Sequence, residues 1–135
     1  MASGHRSQVK RERNETQKDM RPKAHAKYIR LSDQKARVVL EQIKGKKIRE
    51  ATAILEFSPR YAADVIAKVL KSAVANAENN LGLNVDKLFV EEVHANKGKS
   101  QNSRFRLRAR ARGRGSRIER KVSHISIILN EVATK

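Results

Sequence analysis

Cysteine is absent from this chain, so neither a disulfide framework nor a thiolate metal site can be built from it. Tryptophan is absent too, and aromatics make up 4% of residues. Only Phe105 is aromatic within the basic C-terminal segment, which excludes the multi-aromatic platform of an RRM-type sheet. No apolar run approaches the roughly 20 residues that a membrane-spanning helix needs. The first residues lack the apolar stretch of a secretory signal, and Glu12, Glu15 and Asp19 fit poorly with an acid-poor transit segment. A cytoplasmic location is therefore expected. Acidic residues are scarce overall: 14 Asp and Glu face 31 Lys and Arg, for a net charge of +17. Such a field attracts polyanions and opposes self-association. Nucleic acid is the expected partner, an anionic membrane surface is the competitor, and a homo-oligomer is not expected.

Catalytic and metal-binding patterns are missing as well. His5, His25, His94 and His124 are scattered without ligand spacing. Glu91 and Glu92 are adjacent, so in a regular strand they face opposite ways and cannot form a carboxylate pair. Gly45-Lys46-Lys47, preceded by Lys44, lacks the upstream glycine, strand and following Ser/Thr of a nucleotide-binding loop. It reads instead as a basic loop at a helix end, suited to touching RNA phosphate. No nucleophile motif is present. The expectation is no catalytic residue, no cofactor, no metal and no small-molecule substrate.

A chain of 135 residues suits one modest domain. Residues 1–31 carry nine basic and three acidic side chains, residues 32–85 nine and six, and residues 86–135 thirteen and five. The middle is ordinary globular protein and the ends are specialised. Residues 1–22 read as a flexible basic tail, and residues 23–135 as a single domain with an extended hairpin at about 93–118. A short strand is expected over residues 24–31. Ser32 is placed to cap a helix whose Ala36, Val39, Leu40 and Ile43 follow helical spacing, with Gly45 as its stop. A second helix over residues 48–57 should bury Ala51, Ile54 and Leu55. Ser58-Pro59 reads as the start of a long third helix, to about Asn80, closed by Gly82. Its polar stripe, with Lys68, Lys71, Asn76 and Asn79, is either a wet face or an RNA contact. Leu88-Phe89-Val90 and Val93 suggest a strand, and so do residues 122–129, where Ile125, Ile127 and Leu129 share one face. These two strands suit antiparallel pairing.

Between them lies the most informative segment. Arginine occupies every second position from Arg104 through Arg106, Arg108, Arg110 and Arg112 to Arg114. In an extended chain these side chains share a face, about 7 Å apart. Like charges so arranged repel, and a dense polyanion is the compensating partner. Arginine's planar fork suits phosphate and base stacking better than lysine does. Residues 97–121 hold eleven basic side chains and one acid, Glu119. A disordered RGG-like tail is the bland alternative, disfavoured by strand patterns on both flanks.

The motifs Ser32-Asp33-Gln34-Lys35-Ala36-Arg37, Gly45-Lys46-Lys47 and Ser72-Ala73-Val74-Ala75-Asn76-Ala77-Glu78-Asn79-Asn80 stand in this order. Arg110-Ala111-Arg112-Gly113-Arg114 and Ser123-His124-Ile125 follow. Over about residues 24–132 the chain closely resembles the universal large-subunit ribosomal protein twenty-two family of bacterial type. It departs from that pattern in its longer N-terminal extension, a longer hairpin near residues 98–103, Ala109 where proline is common, and Arg120-Lys121-Val122. The resemblance implies an α+β fold: three helices packed on a small three-stranded antiparallel sheet, with a long protruding β-hairpin arm. It also implies binding to large-subunit (23S-type) rRNA beside neighbouring ribosomal proteins, a part in early subunit assembly, and a hairpin tip lining the nascent-peptide exit tunnel. The positions expected to meet RNA are Arg21, Lys23, Arg30, Lys35, Arg37, Lys44, Lys46, Lys47, Lys68, Lys71, Asn76, Asn79, the six alternating arginines, Arg117, Arg120 and Lys121. The expected tip, facing the nascent polypeptide, comprises Phe105, Arg106, Leu107, Arg108, Ala109, Arg110, Ala111 and Arg112. A DNA-bending protein with a basic arm is the competing class, but such proteins usually dimerise and no spare apolar face is evident. Membrane disruption lacks its amphipathic basic helix.

Overall fold

The computed structural model describes residues 21–99 and 106–131. The expected tail up to residue 20, and Arg104 and Phe105 of the arm, lie outside the described residues. The body begins with strand β1 (Lys23–Ile29). Helices α1 (Asp33–Ile43), α2 (Ile48–Phe57) and α3 (Tyr61–Leu81) follow. A 3-10 turn at Val85–Lys87 leads into β2 (Leu88–Gly98). The short strands β3 (Arg106–Ala109) and β4 (Gly115–Ile118) form the arm, and β5 (Val122–Glu131) returns through the body. The body sheet has the order β1-β5-β2, antiparallel throughout, and β3-β4 form a separate two-stranded sheet. The expected three helices on a three-stranded sheet with a hairpin are therefore present.

Alternation in β5 decides where the core lies. Ser123, Ile125, Ile127 and Leu129 are fully buried, and α3 packs on β1 and β5 while α1 packs mainly on β2. The facing helices supply Val39, Leu40 and Ile43 from α1 and Ile66, Leu70, Ala73 and Ala77 from α3. Burying a branched side chain of this size stabilises the fold by about 1.5–3 kcal/mol. The alanines let α3 lie close to the sheet. Gly45, at φ +75°, ends the α1 turn, and its N–H donates to the Val90 carbonyl at 2.7 Å. Val90 donates back to Lys46 at 2.9 Å, and Lys47 bridges to Phe89. The basic loop is thus pinned along the outer edge of β2. Gly82, at φ +62°, closes α3.

The start of α3 differs from the sequence reading. Ser58 closes α2, its N–H donating to the Leu55 carbonyl at 3.4 Å, and Arg60 occupies the N-cap position of α3. A residue before proline is pushed toward extended backbone, and Ser58 has φ −80° and ψ 121°. Arg60 is extended as well, so the helix begins at Tyr61.

The sheet face away from the helices is polar. His25 Nδ1 lies 2.8 Å from the Ser126 hydroxyl. Tyr28 sits at φ +57°, rare for an aromatic residue, where the β1–β5 register breaks between Ala26 and Ile29. Its N–H donates to His124 Nδ1 at 3.0 Å, and the two rings meet edge-on at 4.8 Å. Across β5 the same imidazole covers Gly98. A Cβ there would lie 3.0 Å from His124 Nε2 and 3.2 Å from the Val122 carbonyl oxygen. Gly98→Ala should therefore cost about 1–3 kcal/mol. Ser123→Ala should leave the melting temperature unchanged or raise it, because the Ser123 hydroxyl is buried without a partner. Thermal melts of the two variants check both; a large loss from Ser123→Ala would show that the hydroxyl is bonded after all.

Candidate nucleic-acid interface

The arm is built almost wholly of exposed residues. Four residue pairs, Arg106 with Ile118 through Ala109 with Gly115, join β3 to β4. Among the described elements, their only substantial packing partners are each other. Leu107 is 67% exposed and Ile118 50%, so neither contributes to a core. The chain reverses at residues 110–114. Arg110 N–H donates to the Arg114 carbonyl at 2.8 Å, and Arg112 and Gly113 take φ of +58° and +68°. The arginine ladder is consequently not one straight face. Arg106 and Arg108 share a strand face with Ser116 and Ile118, whereas Arg112 and Arg114 belong to the turn. Arg110 donates from Nε to the Ser116 hydroxyl at 3.3 Å. The strict alternation fails because the glycines and a left-handed Arg112 let the chain fold back after Ala109. Arginines are thereby spread around both faces and the tip, not aligned on one side. Among the described residues, Arg106, Arg108, Arg112 and Arg114 have no carboxylate partner.

On the body the expected RNA-facing residues fall into separate places. Lys35 and Arg37 lie exposed on α1, and Lys44, Lys46 and Lys47 on the loop pinned to β2. Lys68, Lys71 and Asn79 are exposed on α3, and Lys23 and Arg30 at the two ends of β1. Arg117, Arg120 and Lys121 form the returning side of the arm. Two of the named residues serve the fold directly. Asn76 donates from Nδ2 to the Lys23 carbonyl at 3.1 Å, tying α3 to β1. Arg37 reaches the Ala95 carbonyl at 3.4 Å. Val38, Arg60 and Tyr61, which are not among the positions expected to meet RNA, are exposed and line one groove with Arg30, Lys35 and Lys121. An aromatic directly after an arginine, before the apolar face of α3 begins at Ala62, was the available signal.

Arg21 is held by acids. Its Nη1 donates to Glu91 Oε2 at 2.8 Å and to Glu92 Oε1 at 3.1 Å. The expectation that these two carboxylates face opposite ways fails, because the β2–β5 register shifts between Val90 and Glu92. An extra residue at such a bulge breaks strand alternation and turns neighbouring side chains to a common side. Glu92 also lies 3.3 Å from His94 Nε2. The Arg21 guanidinium first, and then His94, hold the Glu92 carboxyl below its ordinary value of 4.5. A depressed carboxylate contributes stability above its unfolded value and loses it as pH falls through the folded one. Glu92 should therefore titrate below 4.5 in a carbon-detected NMR titration, and Arg21→Gln should move its midpoint upward. An unmoved midpoint would assign the effect to His94.

Comparison with known proteins identifies the chain. The family model for ribosomal protein L22p/L17e matches residues 24–130. The large ribosomal subunit protein uL22 of Lachnospira eligens is 55% identical over 131 residues, covering 97% of this chain and 99% of that protein. The uL22 protein of Lachnoclostridium phytofermentans is 51% identical over the same length and coverage. That of Clostridium novyi is 47% identical over 114 residues, covering 84% of this chain and 100% of its own. Matches that span the helical body, the sheet and the arm together show that the chain belongs to the ribosomal protein L22p/L17e family.

Proposed function

We propose that this chain is a structural, non-catalytic constituent of the large subunit of the cytoplasmic ribosome. In this reading it binds 23S-type rRNA through its exposed cations, acts early in subunit assembly, and lines the nascent-peptide exit tunnel with the tip of its arm. Membership of a ribosomal-protein family and the names of its relatives support the first part. The arm carries the rest: among the described residues 106–121 it buries no side chain, and four of its arginines lack carboxylate partners. Such a structure is compensated only by a dense polyanion around it. The body offers a rigid second set of contacts, Lys35, Arg37, Lys46 and Lys47, on a helix and a loop fixed to the sheet edge. Neighbouring ribosomal proteins and the nascent polypeptide are the remaining partners.

Binding of the full chain to a 23S-type rRNA transcript should weaken steeply with salt. Replacing Arg106, Arg108 and Arg110 with glutamine should lower the log–log salt slope by about two to three. An unchanged slope would place the contacts elsewhere. Deleting residues 99–115 and closing the gap with a short turn should leave the body folded and able to enter large subunits, read by mass spectrometry. The same deletion should alter macrolide susceptibility or arrest-peptide stalling. Absence from subunits would make the arm the docking element; normal tunnel behaviour would remove the tip from the tunnel.

A further inference from the structure

A groove of about 880 Å³ opens between the first turns of α1 and α3 and the root of the arm. We propose that it seats one unpaired RNA nucleotide, with the base against Tyr61 and Val38 and the flanking phosphates on the surrounding cations. This rests on the rRNA-binding reading above and specifies one place and one form of contact within it.

Its lining combines exposed apolar side chains with a cationic rim. Tyr61 is 66% exposed and Val38 44% exposed, so the groove presents a flat ring and a branched apolar side chain to solvent. Around them stand Arg30, Lys35, Arg60 and Lys121, against a single carboxylate, Glu119. None of the four cations makes a salt bridge to a described residue. They come from four separate parts of the chain: the end of β1, α1, the segment before α3, and the segment before β5. The tertiary fold, and not a local run of sequence, gathers them.

This pairing of chemistries points to a nucleotide. A duplex keeps its base faces stacked inside and would meet the cations while leaving Tyr61 and Val38 uncovered. An extruded base has an exposed π-face that stacks on an aromatic ring in any sequence context, and its phosphates match a cationic rim. The volume falls within the roughly 300–1,000 Å³ typical of small-molecule sites. An acidic peptide segment would satisfy the rim, but it covers Tyr61 with a flat ring only where it also carries an aromatic side chain, whereas every nucleotide brings one.

The test uses the full chain and a transcript of the complete 23S-type rRNA. Tyr61→Ala should weaken binding about tenfold while leaving the salt slope unchanged, since no charge is removed. Tyr61→Phe should bind like wild type. Arg60→Gln should lower the slope by about one. Chemical probing should reveal a base protected by wild type and by Tyr61→Phe but reactive with Tyr61→Ala. Circular-dichroism melts establish that each variant is folded. Wild-type affinity and footprint for Tyr61→Ala, with the parent still strongly salt-dependent, would overturn the groove while leaving rRNA binding intact. A parent without salt-dependent rRNA binding would overturn both. In assembled subunits, a benzophenone side chain introduced at position 38 should cross-link to rRNA; cross-linking to a protein instead would overturn the nucleotide and make the occupant a peptide segment.

Discussion

Burial of one face of β5 is the constraint that positions everything else. That strand lies between β1 and β2, and its Ser123, Ile125, Ile127 and Leu129 are all sealed beneath the helices. Because side chains alternate, shifting the register by one residue would exchange these for His124, Ser126, Ile128 and Asn130. The register is therefore strongly specified, and it fixes the place where β5 enters the body from the arm. Gly98 pairs with Val122 at that point. On the return side three residues, 119–121, join Ile118 of β4 to Val122 of β5. The arm is therefore rooted on a fixed base.

Charge is the second constraint, and the body answers it differently from the arm. In the body, acids are set against particular cations: Arg21 with Glu91 and Glu92, and Arg49 with Asp86 at 2.8 Å. The Arg49 pair is largely exposed, where screening leaves such contacts worth little. The arm has almost no acids to use. Glu119 is the one carboxylate in residues 97–121, and it sits at the root of the arm, away from the turn. Positive charge density thus rises from the body toward the tip.

How much of this was legible in the sequence follows from which interactions decide each feature. The helices were readable because Ala36, Val39, Leu40 and Ile43, and the longer series from Ala62 to Ala77, declare a period of 3.6 by themselves. Gly45 and Gly82 were readable as stops because left-handed backbone favours glycine. The face of β5 was readable from its alternation. The features that were not legible depend on partners distant in sequence. The bulge that turns Glu91 and Glu92 toward one guanidinium exists only because β2 must stay in register with β5 on both sides of it. The left-handed Tyr28 depends on an imidazole 96 residues away. The arginine ladder announced its chemistry but not its path, since alternation describes a strand and cannot say where that strand turns. Basic positions could be named singly, whereas the grouping of Arg30, Lys35, Arg60 and Lys121 required the fold.

That grouping links the two halves of the molecule. Glu119 and Lys121 line the groove, and both belong to the three residues that join Ile118 of the arm to Val122 of the buried strand. Lys121 is therefore held by its neighbour Val122, which is 2% exposed, and is presented beside the first turns of two packed helices. A phosphate bound there would touch residues fixed by the core on one side and the root of the arm on the other. Among the described residues the arm's own strands hold each other by four residue pairs, and a two-stranded ribbon of that size is marginal by itself. Anchoring its root on a surface already ordered by the body removes part of the conformational entropy that ordering the remainder must overcome. The root of the arm and its arginines are thus physically coupled through three residues of backbone, 119–121.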